Sequence, residues 1–188
     1  MGALRSGAVL AFPTETTYGL GCDPRNREAL DKIYRIKNRP ADKSLPLVAD
    51  SLEQVEQYFL TSDVERGLAA KHWPGPLSIL LAPRPEFQKD FESIMRDGLV
   101  AVRASSHPFV RELTATYGFP LTATSANLSG QPACLSAAEV VEAFKDAEVR
   151  PDLIVDGGML NPSEPSTLIK VGNDGSVTVL RQGAIKVS

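Results

Sequence analysis

Histidine is nearly absent from this chain: His72 and His107 are the two among 188 residues. Neither sits in a context that suggests a Ser-His-Asp triad. No grouping of His, Cys and carboxylates has the spacing of a zinc site. Cysteine is as scarce. Cys22 and Cys134 lie far apart and form no CxxC, which argues against a disulfide framework and fits a reducing cytoplasm. No apolar run approaches the ~20 residues of a membrane span. The opening Met1-Gly2-Ala3-Leu4-Arg5-Ser6-Gly7 lacks the apolar core of a signal peptide. Basic charge is not in excess either. The formal net charge is −3, so no global field advertises a nucleic-acid partner, although net charge leaves a local basic cleft open. A P-loop motif is missing, and no GxGxxG follows a strand.

What is present is an alternation of strands and helices. Ala8–Phe12 reads as a buried strand, and Pro13 ends it. Asn26 caps a helix to about Lys37, with Glu28 in the first turn and an apolar stripe of Leu30, Ile33 and Tyr34. Lys37 lies two turns after Leu30, so this stripe ends in a cation. Pro40 stops the element. Further strands are expected at 45–49, 77–82, 99–103, 120–123 and 153–155, and helices at about 51–59, 62–71, 108–117 and 136–144, the last with a capping box from Ser136 to Glu139. Residues 83–97 read as a polar, irregular surface excursion. Strands 167–171 and 176–180 flank Asn173-Asp174-Gly175 as a hairpin. A chain of this length suits one well-buried domain, residues 1–188, of α/β class with a mixed sheet.

The polar residues at strand and helix ends are the chemical candidates. Thr14-Glu15-Thr16-Thr17-Tyr18-Gly19-Leu20-Gly21 follows the first strand, where α/β sheets bind ligands; a plain polar turn is the competing reading. Gly19 and Gly21 allow either close backbone approach or positive φ. Lys37 and Arg39 stand one residue apart where a helix breaks. Both project into a cleft to hold phosphates, a compact charge beside a planar fork, or Lys37 merely favours the helix end. Lys43 is a third cation nearby. Thr124-Ser125-Ala126-Asn127-Leu128-Ser129-Gly130 offers hydroxyl, amide and backbone N–H groups to an anion, or forms an ordinary turn. Arg103 and Arg181 each end a strand.

In their order along the chain, Pro13-Thr14-Glu15-Thr16-Thr17-Tyr18-Gly19-Leu20-Gly21, Lys37-Asn38-Arg39-Pro40, Trp73-Pro74-Gly75-Pro76 and Ser125-Ala126-Asn127-Leu128-Ser129-Gly130 resemble the YrdC family. The chain closely resembles its short bacterial threonylcarbamoyl-AMP synthases (TsaC type). The resemblance runs from about Gly7 to Gly183. It implies the YrdC-like fold, a twisted mixed β-sheet with flanking helices around a concave cleft. It implies joining of L-threonine, bicarbonate and ATP into threonylcarbamoyl-AMP with release of pyrophosphate, for modification of adenosine 37 in tRNA. Partner proteins would carry out the transfer to tRNA. Thr16, Arg103 and Ser166 would then contact threonine, with Arg103 on its carboxylate. Lys37, Arg39, Lys43, Ser125, Asn127 and Arg181 would surround ATP, with Lys37 and Arg39 as electrostatic stabilisers. Mg²⁺ would come with the phosphates. Longer members carry a histidine near the threonine site where this chain has Val48, and a C-terminal domain after a linker.

Two other readings stay open on the sequence. One is a YrdC-like paralogue acting on a different adenylate. The other is a non-enzymatic module that grips double-stranded RNA or tRNA in the same cleft, with salt-dependent binding.

Overall fold

The computed structural model describes residues 1–40 and 43–187. β1 (Leu10–Pro13) pairs antiparallel with β2 (Tyr18–Gly21) and parallel with β8 (Leu153–Ile154), and β2 pairs antiparallel with β7 (Thr124–Ser125). These strands make a four-stranded sheet, β7-β2-β1-β8. A six-stranded sheet is built from β3 (Leu47–Ala49), β4 (Leu77–Leu81), β5 (Val100–Ala104), β6 (Leu121–Thr122), β9 (Thr167–Val171) and β10 (Val177–Arg181), in the order β10-β9-β4-β5-β3-β6. Both sheets mix parallel and antiparallel pairs. The mixed sheet expected from the sequence is thus divided in two.

The division falls at residues 121–125. Thr122 belongs to one sheet and Thr124 to the other, with Ala123 between them. There β2 runs directly onto β6: the Cys22 N–H donates to Thr122 Oγ1 at 2.9 Å and the Thr122 N–H donates to the Cys22 carbonyl at 3.0 Å. A Cβ on Gly21 would lie 2.1 Å from the Thr122 carbonyl oxygen. Gly21 therefore serves close approach, neither Gly19 nor Gly21 takes a positive φ, and residues 18–21 form a strand rather than a loop. Two glycines in four residues mask a strand, because they remove the side chains that make its alternation visible.

The helices are α1 (Gly2–Arg5), α2 (Arg27–Lys37), α3 (Leu52–Tyr58), α4 (Asp63–His72), α5 (Gln88–Phe91), α6 (Pro108–Tyr117) and α7 (Ala137–Ala143). Asn26 Oδ1 accepts from the Ala29 N–H and starts α2 as expected. Ser62 and Glu65 close a reciprocal capping box on α4. On α7 Ser136 caps, but Glu139 reaches past it to the Leu135 N–H. The stretch 83–97 is not a surface excursion. Phe91 and Ile94 are fully buried, and the Phe91 ring sits 4.8 Å from Phe59 and 5.4 Å from Phe119. Strand β3 starts only after Pro46, which lacks a backbone donor. Val48 is completely buried in β3.

Candidate active site

The turn between β1 and β2 is closed at Thr14, whose backbone N–H donates to the Thr17 carbonyl at 3.0 Å. Thr14 Oγ1 donates to the Thr17 carbonyl at 2.7 Å and accepts from the N–H groups of Thr16 and Thr17. Its hydroxyl also lies 3.1 Å from that of Thr16. The next residue, Tyr18, is fully buried and fastens the neighbouring loops. Its hydroxyl donates to the Gly158 carbonyl and accepts from the Gly157 N–H, both at 2.9 Å. Its backbone takes Cys134 and Ala126 as partners.

Helix α2 delivers the two cations that follow. Leu30, Ile33, Tyr34 and Lys37 all lie on its buried face. Asn38 then adopts a left-handed conformation, φ 47° and ψ 50°, which Asn tolerates better than most residues. This single turn sends Lys37 and Arg39 to different places. Arg39 lines the cavity, with loose bonds to Thr124 Oγ1 at 3.4 Å and the Ser44 carbonyl at 3.2 Å. Lys37 does not project beside it. It is 2% exposed and stands behind the Ser125–Asn127 loop. Its ammonium donates to the carbonyls of Ser125 and Asn127 and to Asn127 Oδ1 at 2.9 Å. Burial, followed by the nearby Arg39 charge, pushes Lys37 down to about 8. Three acceptors require all three of its protons, so it remains charged at neutral pH. Asn127 Oδ1 takes a further bond from Ser125 Oγ at 2.6 Å, and its amide nitrogen donates to the Gln131 carbonyl.

The opposite end is built on strand ends. Arg103 on β5 is 5% exposed and donates from Nε to Glu15 Oε1 at 2.8 Å. Ser105 Oγ donates to the other Glu15 oxygen. Burial alone would raise the Glu15 carboxyl. The Arg103 guanidinium and the Ser105 hydroxyl outweigh it and hold the group below its usual range. A bulge between Val179 and Arg181 re-aims the end of β10, otherwise an exposed edge strand. Arg181 then donates to the Ser166 carbonyl from Nε at 3.1 Å and from NH2 at 2.9 Å, and to Ser166 Oγ at 3.0 Å. Burial and then Arg103 lower its guanidinium from the ordinary value.

Thr16, Arg39, Arg103, Ser125, Asn127, Ser166 and Arg181 line one cavity of about 560 Å³. That is the size of a small-molecule site, ~300–1,000 Å³. Among the expected site residues, Lys37 acts from behind its wall and Lys43 does not line it. Lys43 is exposed, and its carbonyl accepts from the Tyr34 hydroxyl at 2.7 Å. His72 and His107 do not line it either; His107 Nδ1 accepts the Phe109 N–H at the start of α6. Among the described residues no carboxylate lines the cavity.

The family model Sua5/YciO/YrdC, described as "Telomere recombination", matches residues 2–183. The chain belongs to the Sua5/YciO/YrdC family. Two bacterial relatives bear the name threonylcarbamoyl-AMP synthase. That of Klebsiella pneumoniae is 41% identical over 86% of this chain and 85% of its own length. That of Chromohalobacter salexigens is 39% identical over 88% and 87%. The crystal structure of P. abyssi Sua5 complexed with L-threonine superimposes with a TM-score of 0.83 at 34% identity, over 97% of this chain. The chain spans about half (52%) of that longer Sua5.

Within this YrdC-type frame the structure adds residues that sequence reasoning passed over. Ser78 Oγ lies 3.0 Å from Ser166 Oγ. Its signal was a hydroxyl inside the apolar run Leu77-Ser78-Ile79-Leu80-Leu81. Ser163 donates to the Thr16 carbonyl at 3.0 Å from a segment without regular structure, and nothing in its local sequence marks it. Glu15 was visible as a lone carboxylate among threonines, but its partner lies 88 residues away.

Proposed function

We propose that this chain is an L-threonylcarbamoyladenylate synthase, a nucleotidyltransferase that makes threonylcarbamoyl-AMP and pyrophosphate from L-threonine, bicarbonate and ATP. The observation that carries the reading is one cavity with two unlike cationic ends: Lys37 and Arg39 around a hydroxyl-amide loop, and Arg103 with Arg181 around Ser166. The names of the relatives at 39–41% identity support it.

In this reading the Arg103 fork takes the threonine carboxylate, while Thr16 and Ser166 flank the amino acid. The neutral threonine amine forms a C–N bond to bicarbonate with loss of water, or to CO₂ derived from it with loss of a proton to solvent, and gives a carbamate. A carbamate oxygen then forms a bond to the α-phosphorus, and the bond from that phosphorus to the bridging oxygen breaks as pyrophosphate leaves. Both reactants are anions, so positioning and charge neutralisation carry the step. Arg39 offers its planar fork to the phosphates. Lys37 supplies charge through the wall and holds Ser125 and Asn127 in place. Among the described residues no cluster of three His, Cys, Asp or Glu side chains is placed to hold a metal. Magnesium would enter with ATP, on its phosphate oxygens, and neutralise them. The threonylcarbamoyl group then passes to adenosine 37 of tRNA through partner proteins, in the cytoplasm.

The test is pyrophosphate release by purified protein with ATP, Mg²⁺ and bicarbonate, with and without L-threonine and with L-serine as control. Release that needs both threonine and bicarbonate is expected. Folded protein that binds ATP yet releases none with any amino acid would overturn the reading.

A further inference from the structure

The Glu15–Arg103 pair is not needed to hold the turn that carries Glu15, because Thr14 already closes that turn with its own hydroxyl. What the pair does is join the β1–β2 turn of one sheet to strand β5 of the other, with both side chains nearly buried, 10% and 6% exposed. The bond uses Nε of the guanidinium. No described hydrogen bond occupies its terminal nitrogens, while the side chain lines the cavity. A carboxylate on Nε and a second anchor at Ser105 fix the guanidinium plane and leave a two-pronged donor free. The charge matters as well. Arg103 and Arg181 lie close enough for the one to disfavour the charge of the other. Two cations less the Glu15 carboxylate leave a net single positive charge at this end.

We propose that Glu15 is a positioning and selectivity residue: it aims the Arg103 fork and trims the local charge, so that this end accepts a monocarboxylate rather than a phosphate. The inference rests on the threonine reading above. Without Glu15 the fork swings, and two unbalanced guanidiniums form a phosphate site that competes with the amino acid. Productive binding then depends on the ATP phosphates staying at the Arg39 end.

The experiment compares wild type, Glu15→Gln and Glu15→Asp, each checked for folding by circular dichroism and thermal melting. Threonine and ATP KM values are measured separately, and inorganic phosphate is titrated against threonine. In Glu15→Gln the threonine KM should rise roughly 10- to 100-fold, the size of loss that a misplacement of about 1 Å brings. The ATP KM should stay within about threefold, and phosphate should become a competitor of threonine. Glu15→Asp keeps the charge but shortens the reach. It should raise the threonine KM while phosphate remains excluded. A threonine KM unchanged in both variants, or threonine and ATP KM values rising together, overturns the proposal. So does failure of both variants to fold, which would make Glu15 a folding residue. Wild type that neither binds threonine nor releases pyrophosphate with it fails the threonine reading itself, a result separable from any of these.

Discussion

The two ends of the cavity stabilise their cations by opposite means. At the Lys37–Arg39 end, dipoles do it: carbonyls, an amide oxygen and hydroxyls surround the charges, and no carboxylate intrudes. At the Arg103–Arg181 end, a formal negative charge sits directly on one guanidinium. Dipoles stabilise a buried cation without cancelling its charge, so the first end keeps its full attraction for a polyanion. A carboxylate subtracts a unit, so the second end suits a ligand of single charge. Under the proposed function, where the counter-charge is placed separates a polyphosphate end from an amino-acid end in one continuous space.

The largest expected break comes from Lys37→Ala, which removes the charge and orphans three acceptors at once. Pyrophosphate release should fall roughly 1,000-fold, at the upper limit for a single stabilising group. Unchanged release would end its role as an electrostatic stabiliser. Arg39→Ala should cost less, about 100-fold, mainly as a raised ATP KM. Arg39→Lys should recover only part, because an ammonium lacks the planar fork. Titration sharpens the contrast without any substitution. Lys37 loses its proton as pH rises through about 8, so kcat/KM for ATP, measured at saturating threonine and bicarbonate, should decline on that alkaline limb. Lys37→Arg should remove the limb. The far end responds on the acid side. The carboxyl of Glu15 is held below its ordinary 4.5. Its contribution to stability is therefore present above that value and lost as pH falls through the lower, folded one. Denaturant titrations from pH 7 down to pH 3 should show this acid loss in wild type and a shallower one in Glu15→Gln. Tyr18→Phe should act on stability alone, because it leaves the Gly157 N–H and Gly158 carbonyl without their shared hydroxyl. About 1–3 kcal/mol of stability should be lost, with threonine and ATP KM values little changed.

Where signals were local, the sequence was readable. The α2 stripe ending in Lys37, the Asn26 and Ser136 caps and the C-terminal hairpin all rest on residues within a turn or two of each other. The cavity was readable as a set of cations and hydroxyls, because those side chains fall at element ends. What was hidden depends on distant pairing. Strand β2 owes Gly21 to a backbone about 100 residues away. Phe87, Phe91, Ile94 and Met95 recur at helical spacing, but prolines and charged residues crowd around them, and the Phe91 ring finds its partners in the distant Phe59 and Phe119. Lys37 and Arg39 look equivalent as letters. The left-handed Asn38 between them makes one a buried anchor and the other a cavity wall.

The contact between Gly21 and Thr122 has a consequence for tolerated variation. Any side chain at position 21 would meet a backbone oxygen at 2.1 Å and the Phe12 ring at 2.7 Å, and neither yields like the tip of a flexible chain. Gly67 in α4 is the opposite case, with open space around its missing Cβ, where alanine should add about 0.5–1 kcal/mol by restricting the unfolded chain. In a saturation library scored for folding, position 21 should therefore accept a single amino acid while position 67 accepts many. The seam between the two sheets would stand out as a point of zero tolerance within a forgiving surface.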